Sequence, residues 1–100
     1  MENQFGNKIK QLREANNLLQ RQVAGFLEID TPMLSKIERG ERKAKKEQVL
    51  LFAEVLKSNK NELLTLWLAD QVFDLIQGEP MADNVLKSVS KNLHSNKKKF

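Results

Sequence analysis

Apolar residues in the first part of the chain recur at steps of three and four positions, the spacing of one face of an α-helix. The residues of the first two stripes are Phe5, Ile9 and Leu12, then Val23, Ala24 and Leu27. They predict helices over about 4–15 and 19–27, separated by Asn16-Asn17, which favours a turn. No stretch alternates apolar and polar residues long enough to indicate a strand, so the pattern predicts an all-α fold.

The segment 20–40 predicts two short helices joined by a tight polar turn. The second of them begins after Asp30, whose side chain suits an N-cap, and Pro32 lies in its first turn, where a missing N–H costs nothing. Gly40 fits the position just past its end. Leu34 and Ile37 point inward by helical spacing, so the other side chains of this helix face its sides and outer surface.

Two further helices follow a charged connector at 41–46. The fourth helix is predicted over about 46–57 and is expected to bury one apolar face. The residues of that face are Val49, Leu50, Ala53 and Leu56. The fifth helix begins after Asn59, because Asn59 and Glu62 are spaced as in a capping pattern.

The region from 63 to 76 is apolar around most of the helix circumference. Such a helix must be covered on two sides, and a second copy of the chain is the expected second cover. The sequence Gly78-Glu79-Pro80 then breaks the chain before a sixth helix over about 81–93, whose inward residues are Val85, Leu86, Val89 and Leu93. We predict a two-fold dimer built from this last helix together with Trp67, Phe73 and Ile76; the alternative is a helical hairpin that folds back on its own domain.

Charge is distributed unevenly along the chain, which has a net charge of +4. Residues 8–46 contain ten Lys or Arg against five Asp or Glu, whereas residues 62–83 contain five acids and no Lys or Arg. The asymmetry indicates that only the first half meets a polyanion, with ordinary solvated surface as the alternative. Candidate phosphate contacts are the cations in and beside the connector: Arg39, Arg42, Lys43, Lys45 and Lys46.

Composition argues against several other classes. The chain has no cysteine and one histidine, which excludes disulfides and thiolate metal sites and leaves His94 without ligand partners. There is no phosphate-binding glycine loop and no pairing of polar residues at catalytic spacing, so an enzyme is not expected. No signal peptide or membrane span is seen. We expect a cytoplasmic protein with no cofactor, no metal, no small-molecule ligand and no membrane association.

Three motifs together carry a resemblance to a known family. They are IKQLRE in the first helix, QVAGFL in the second, and SKIERGERK at the end of the third. Over Phe5 to Leu64 the chain resembles the phage-repressor/Cro-like (XRE) family of helix-turn-helix transcriptional regulators. This implies a five-helix lambda-repressor-like DNA-binding domain over 1–64. Beyond it, the apolar pattern described above predicts a C-terminal helical dimerisation extension over 65–93, and we expect the tail over 94–100 to be disordered and basic.

The resemblance also implies roles for individual residues. Gln20 matches a position that contacts a DNA phosphate and braces the recognition helix. The recognition helix, 31–39, would face base edges with Thr31, Pro32, Met33, Ser35 and Lys36. For Lys36 the alternative is a solvated surface lysine, and for Met33 it is packing against the second helix. Arg13 and Glu38 match a pair that forms a partly buried salt bridge between the first and third helices.

The chain departs from the family pattern at three places. Glu28 stands where the turn has glycine, which predicts a left-handed backbone at some cost. Leu19 stands where a Ser or Asn caps the second helix, which predicts a weakly capped start. Ala44-Lys45 replaces a Pro-Ser pair in the connector, which makes the loop less rigid and more basic.

Two functions of different classes follow. The first is a sequence-specific transcriptional regulator that binds double-stranded DNA as a homodimer on a palindromic operator, for example as an autoregulator or restriction–modification controller. The alternative is an antitoxin or protein-interaction module that uses the hydrophobic C-terminal hairpin to bind a partner protein.

Overall fold

The chain is described by a computed structural model that covers residues 3–98. Over that range it contains six α-helices and no strand, which confirms the all-α prediction. The helices are α1 (Gln4–Ala15), α2 (Gln20–Leu27), α3 (Thr31–Glu38), α4 (Lys46–Val55), α5 (Lys60–Ile76) and α6 (Ala82–Lys98). Helices α1 to α5 form the packed domain, in which α5 lies against α1 and α4, and α2 lies against α3 and α4.

A single hydrophobic core is shared by α1 to α5. Phe5 of α1 meets Phe52 of α4 edge to face, with ring centroids 5.9 Å apart and an interplanar angle of 76°. The aliphatic residues that are completely buried around this pair are Ile9, Val23, Leu34, Ile37, Val49, Leu56 and Leu63. The core therefore fixes the inner face of α3 and leaves its opposite face free.

The helices begin where side chains satisfy their first N–H groups. Asp30 accepts a hydrogen bond from the Met33 N–H at 2.8 Å, and Asn59 accepts one from the Glu62 N–H at 3.0 Å. Leu19, which precedes α2, has no such side chain; instead the side chain of Gln22 folds back and accepts the Leu19 N–H at 2.8 Å. The start of α2 thus has this one side-chain bond, beside the backbone bonds from the N–H groups of Gln22 and Val23 to the Leu19 carbonyl.

The predicted apolar face of α4 is wrong at one position. Leu50 is exposed, and Phe52 is buried in its place. The sequence Val49 to Ala53 is apolar at every position, so spacing alone could not choose the inner face. Contact of Phe52 with Phe5 selects it.

Helix α6 stands apart from the domain. None of its described side chains is buried, and the radius of gyration is 15.7 Å, against about 13 Å for a compact domain of 100 residues. The helix also extends to Lys98, so the prediction that the tail is disordered from His94 is wrong as far as residue 98; residues 99 and 100 lie outside the described range. Lysine is a good helix former and its charge favours a helix C-terminus, which explains continuation beyond the last apolar residue.

Candidate nucleic-acid interface

A three-residue turn sets the angle between α2 and α3. Glu28 adopts the left-handed conformation predicted for it, with φ 59° and ψ 40°. The Ile29 N–H then closes the end of α2 on the Ala24 carbonyl at 3.0 Å. Asp30 follows directly and caps α3, so the helix begins at the next residue, Thr31. This local geometry presents the first turn of α3 to solvent.

Three of the five residues predicted to read bases are freely exposed on α3: Thr31, Pro32 and Lys36. Met33 is half-buried and packs against the core, which corresponds to the alternative weighed for it. Ser35 is half-buried, and its hydroxyl accepts a hydrogen bond from the Arg39 guanidinium. The free face of α3 is therefore narrower than the sequence predicted and centres on Thr31 and Lys36.

A buried carboxylate connects α3 to α1 and α2. Glu38 is 4% exposed, and its two oxygens accept bonds from Arg13 Nε at 2.7 Å and Nη2 at 3.1 Å. The same carboxylate accepts Gln20 Nε2 at 3.0 Å, while Arg13 Nη1 donates to the Leu18 carbonyl at 3.0 Å. The hydrogen bonds and charge of Glu38 raise the pKa of the Arg13 guanidinium, and burial opposes them only in part. The structure thus brings Arg13, Glu38 and Gln20 together in one network, and one amide N–H of Gln20 remains available for a second acceptor.

The C-terminal end of α3 is held by the start of α1. Asn3 donates to the Glu38 carbonyl at 2.9 Å and accepts the Gly6 N–H at 3.1 Å, so one side chain caps α1 and holds α3. A Cβ at Gly6 would lie 2.5 Å from the carbonyl oxygen of Ile37. Gly40 has φ 76°, and a Cβ there would lie 2.6 Å from Asn3. Both glycines are therefore needed for this close approach.

The connector after α3 carries the candidate phosphate contacts. Arg42, Lys45 and Lys46 are exposed and make no salt bridge among the described residues. Lys43 is exposed and donates weakly to Gln71 at 3.4 Å. Arg39 instead pairs with Glu41, with Nε 2.6 Å from Oε2. This hydrogen-bonded pairing raises the pKa of Arg39 and lowers the pKa of Glu41.

Comparison with known proteins decides the family. A model of a helix-turn-helix family matches residues 9–63, which run from the middle of α1 to the start of α5. The chain belongs to this helix-turn-helix family. The assignment to phage-repressor/Cro-like regulators is confirmed, and the protein is a DNA-binding transcription regulator.

Among solved structures, this helix-turn-helix protein is similar to the restriction-modification controller protein C.AhdI from Aeromonas hydrophila. The two share 30% sequence identity with a TM-score of 0.56 over 60% of this chain and 91% of that chain. No curated protein sequence matches the chain. The match leaves much of this chain uncovered, and the likeness therefore bears on the DNA-binding domain rather than on the whole molecule.

The residues predicted for a dimer interface lie in different environments on α5. Trp67 packs against the core of its own domain, and its indole N–H donates to the Ala44 carbonyl at 2.8 Å. Phe73 is exposed, and Ile76 is half-buried. More exposed than any of these is Leu75, at 80%. Trp67 thus holds α5 on its own domain, and the free apolar surface of α5 lies elsewhere on the helix.

Sequence reasoning missed two residues that position this helix-turn-helix unit. Asn3 lies just before the apolar pattern of α1, and its residue type could have indicated the N-cap. Asp70 of α5 accepts the N–H groups of Gln4 at 3.1 Å and Phe5 at 2.9 Å, and places its negative charge at the N-terminus of α1. No local signal could have found that contact, because it joins residues more than sixty positions apart.

No helix within residues 3–98 combines the length and apolar character that crossing a membrane requires. No cluster of three or more His, Asp or Glu side chains in that range could hold a metal ion.

Proposed function

We propose that the protein binds a palindromic operator as a homodimer, with α3 of each copy in the major groove of one half-site. The observation that carries the proposal is the exposed face of Thr31 and Lys36, beside connector cations that have no salt-bridge partner in the described chain. A helix fixed at both ends with a polar, basic free face suits direct readout of base edges. Two-fold symmetry of the protein then requires a palindromic operator, and we expect its half-sites to lie about one helical turn apart.

Base readout is assigned to the side chains of α3. Lys36 donates to O6 and N7 of guanine, and the Thr31 hydroxyl bonds a base or a phosphate. Pro32 and the exposed part of Met33 offer apolar contact, for example with a thymine methyl group. Ser35 contributes once Arg39 releases its hydroxyl. Lys36 and Thr31 are therefore expected to carry most of the sequence preference.

Phosphate contacts position the helix in the groove. We assign them to the free N–H of Gln20 and to the cations of the connector, namely Arg39, Arg42, Lys43, Lys45 and Lys46. Each phosphate neutralised adds about 0.9 to the magnitude of the log–log salt slope of binding. Arg39 joins this set only by giving up its contacts with Glu41 and Ser35.

The dimer contact is assigned to the C-terminal extension, residues 65–93. Phe73 is its exposed aromatic anchor, Ile76 lies at its edge, and Trp67 supports α5 from the domain side. Because C.AhdI is a restriction-modification controller, an autoregulatory controller role is the regulatory function we favour.

Selection of binding sites from random DNA tests the whole proposal. The expected product is a palindrome with half-sites about one turn apart. In gel-shift assays on that site, a Thr31→Ala/Lys36→Ala variant is expected to lose sequence preference, and Lys60→Ala, an exposed lysine at the start of α5, serves as the matched control. Equal loss in both variants, or selection of no common sequence, would overturn the assignment of α3.

A second candidate role is capture of a different protein, such as a toxin, by the extension. The exposed apolar residues of α5 and α6 favour it. Co-purification with a neighbour-encoded protein at a defined stoichiometry would support this role. If partner capture is the protein's sole role, the Thr31→Ala/Lys36→Ala variant binds the partner protein as well as the wild type does.

A further inference from the structure

Two apolar faces of similar size are left uncovered in the C-terminal extension. On α5 the exposed large apolar residues are Leu68, Val72, Phe73 and Leu75. On α6 they are Val85, Leu86, Val89 and Leu93, which are 39–57% exposed. Both sets follow helical spacing, so each helix presents a stripe rather than scattered positions. A pair of stripes on neighbouring helices indicates surfaces that are made to be covered.

The turn between the two helices keeps α6 from covering α5 of its own chain. Gly78 adopts φ 81°, and the Glu79 N–H closes on the Ile76 carbonyl at 3.1 Å. The Ala82 N–H then bonds the Glu79 carbonyl at 3.1 Å, which starts α6 in a fixed direction. Although α6 is only five residues from α5, none of its described side chains becomes buried. The turn is therefore a hydrogen-bonded bend that directs α6 outward.

Covering the α6 stripe would not bury the two lysines in the middle of the helix. Lys87 and Lys91 lie on the side of α6 opposite Val89, because their positions along a 3.6-residue helix differ from it by about half a circumference. Ser90 and Asn92, which border the middle of the stripe, are uncharged, and Asp83 stands beside Leu86 at its N-terminal end. A partner can therefore pack on the stripe while both lysines stay in water.

We propose that α6 of each copy packs against α5 of the other copy, so that the two chains exchange their last helices. Leu68, Val72 and Leu75 are spaced by four and three residues, and Leu86, Val89 and Leu93 by three and four, which suits side-by-side packing of two helices. Pairing α5 with α5 leaves the α6 stripe bare, and pairing α6 with α6 leaves α5 bare. Reciprocal exchange covers both faces with one two-fold contact.

The exposed area matches what such a contact needs. With Met81 included, nine large apolar residues between 68 and 93 are exposed. Burial of a large apolar side chain removes on the order of 100 Å² of apolar surface from water, so their exposed fractions amount to roughly 450 Å² of apolar surface per chain. Each partner of a stable interface of ordinary size contributes about 800 Å², of which about 57% is apolar.

Single-cysteine variants of the full chain test the exchange, since the chain has no cysteine of its own. Val72→Cys on α5 is mixed with Val89→Cys on α6, one of the two carrying a size tag, and treated with a short bismaleimide cross-linker. Both positions are exposed, so neither change removes a core contact. The control mixture pairs Val89→Cys with Glu54→Cys on the exposed side of α4. A double variant carrying both cysteines in one chain reports contact within a chain.

The expected result is a covalent heterodimer with the mass of two 11.5 kDa chains plus the tag, absent from the control mixture. An internal cross-link that leaves the double variant monomeric would overturn the exchange. Cross-linked dimers formed by Val89→Cys chains alone would also overturn it, because they report contact of α6 with α6. The inference rests on the dimer of the proposed function, so sedimentation of the unmodified chain is measured alongside. A monomer would refute both claims. A dimer without the α5–α6 cross-link would refute the exchange alone.

Discussion

Replacement of Glu38 by alanine removes the acceptor that joins three helices. The variant loses both bonds from Arg13 and the bond from Gln20. The Arg13 side chain, only 11% exposed, keeps a single bond to the Leu18 carbonyl. Its guanidinium is then a nearly buried charge without a counter-charge, which is more costly than the absence of the pair as a whole.

The size of the effect follows from that burial. Removing one partner of a buried ion pair costs roughly 3–5 kcal/mol, a large part of the ~5–15 kcal/mol that stabilises an ordinary domain. With a shift of about 4–8 °C per kcal/mol for a domain of up to about 100 residues, Tm should fall by on the order of 10–40 °C. Removing both charges, as in Arg13→Leu/Glu38→Leu, should recover much of the loss, because an apolar pair of similar volume leaves no buried charge.

Thermal unfolding followed by far-ultraviolet circular dichroism measures these differences, at one protein concentration because a dimer's Tm depends on it. Glu62→Ala is the matched control: Glu62 meets Lys8 at 3.3 Å, with the two side chains 53% and 31% exposed. An exposed pair of this kind is worth about 0–1 kcal/mol. If Glu38→Ala lowers Tm no more than Glu62→Ala, or if the double variant is as unstable as the single one, the account of the network is wrong.

Two further predictions concern the connector. Arg42→Gln/Lys45→Gln/Lys46→Gln should lower the magnitude of the log–log salt slope of DNA binding by about 2.7 if each cation neutralises one phosphate, as read from titrations at several salt concentrations; an unchanged slope would exclude them as contacts. Glu41→Gln should tighten DNA binding in the same assay, because it frees Arg39 from its pair. In the wild type, an NMR titration should place the pKa of Glu41 below its usual 4.5, and Arg39→Gln should restore it. Since the folded pKa is the lower one, this pair stabilises the fold above the usual pKa and ceases to do so as pH falls through the lowered value.

Local signals were sufficient for several helix starts and for one turn of the packed domain. Asp30 and Asn59 marked helix starts, and glutamate in a glycine position predicted the left-handed turn at Glu28. These features succeed because caps and turns depend on a few neighbouring residues. Where apolar residues are consecutive, as at Leu50 and Phe52, only tertiary contact decides which one is buried.

The candidate site was predictable in outline but not in its details. Helical spacing and family resemblance identified the outer face of α3. They did not predict that Arg39 donates a hydrogen bond to Ser35 and forms a salt bridge with Glu41. Such contacts between polar side chains depend on rotamers that the sequence does not specify. The contact of Asp70 with the start of α1 depends on the folded path of the whole chain, which local patterns do not contain.

The hydrogen bonds of Asp70 and Asn3 have a consequence for the spacing of DNA half-sites. Asp70 ties α5 to the start of α1, and Asn3 ties that start to the end of α3. In the proposed dimer, the separation of the two recognition helices is then set by rigid contacts rather than by a hinge. One inserted base pair displaces a half-site by about 3.4 Å and rotates it by about 35°. Because the separation of the two recognition helices is fixed, the dimer should accept one half-site spacing. Binding to an operator with an altered spacer would then require distortion of the DNA.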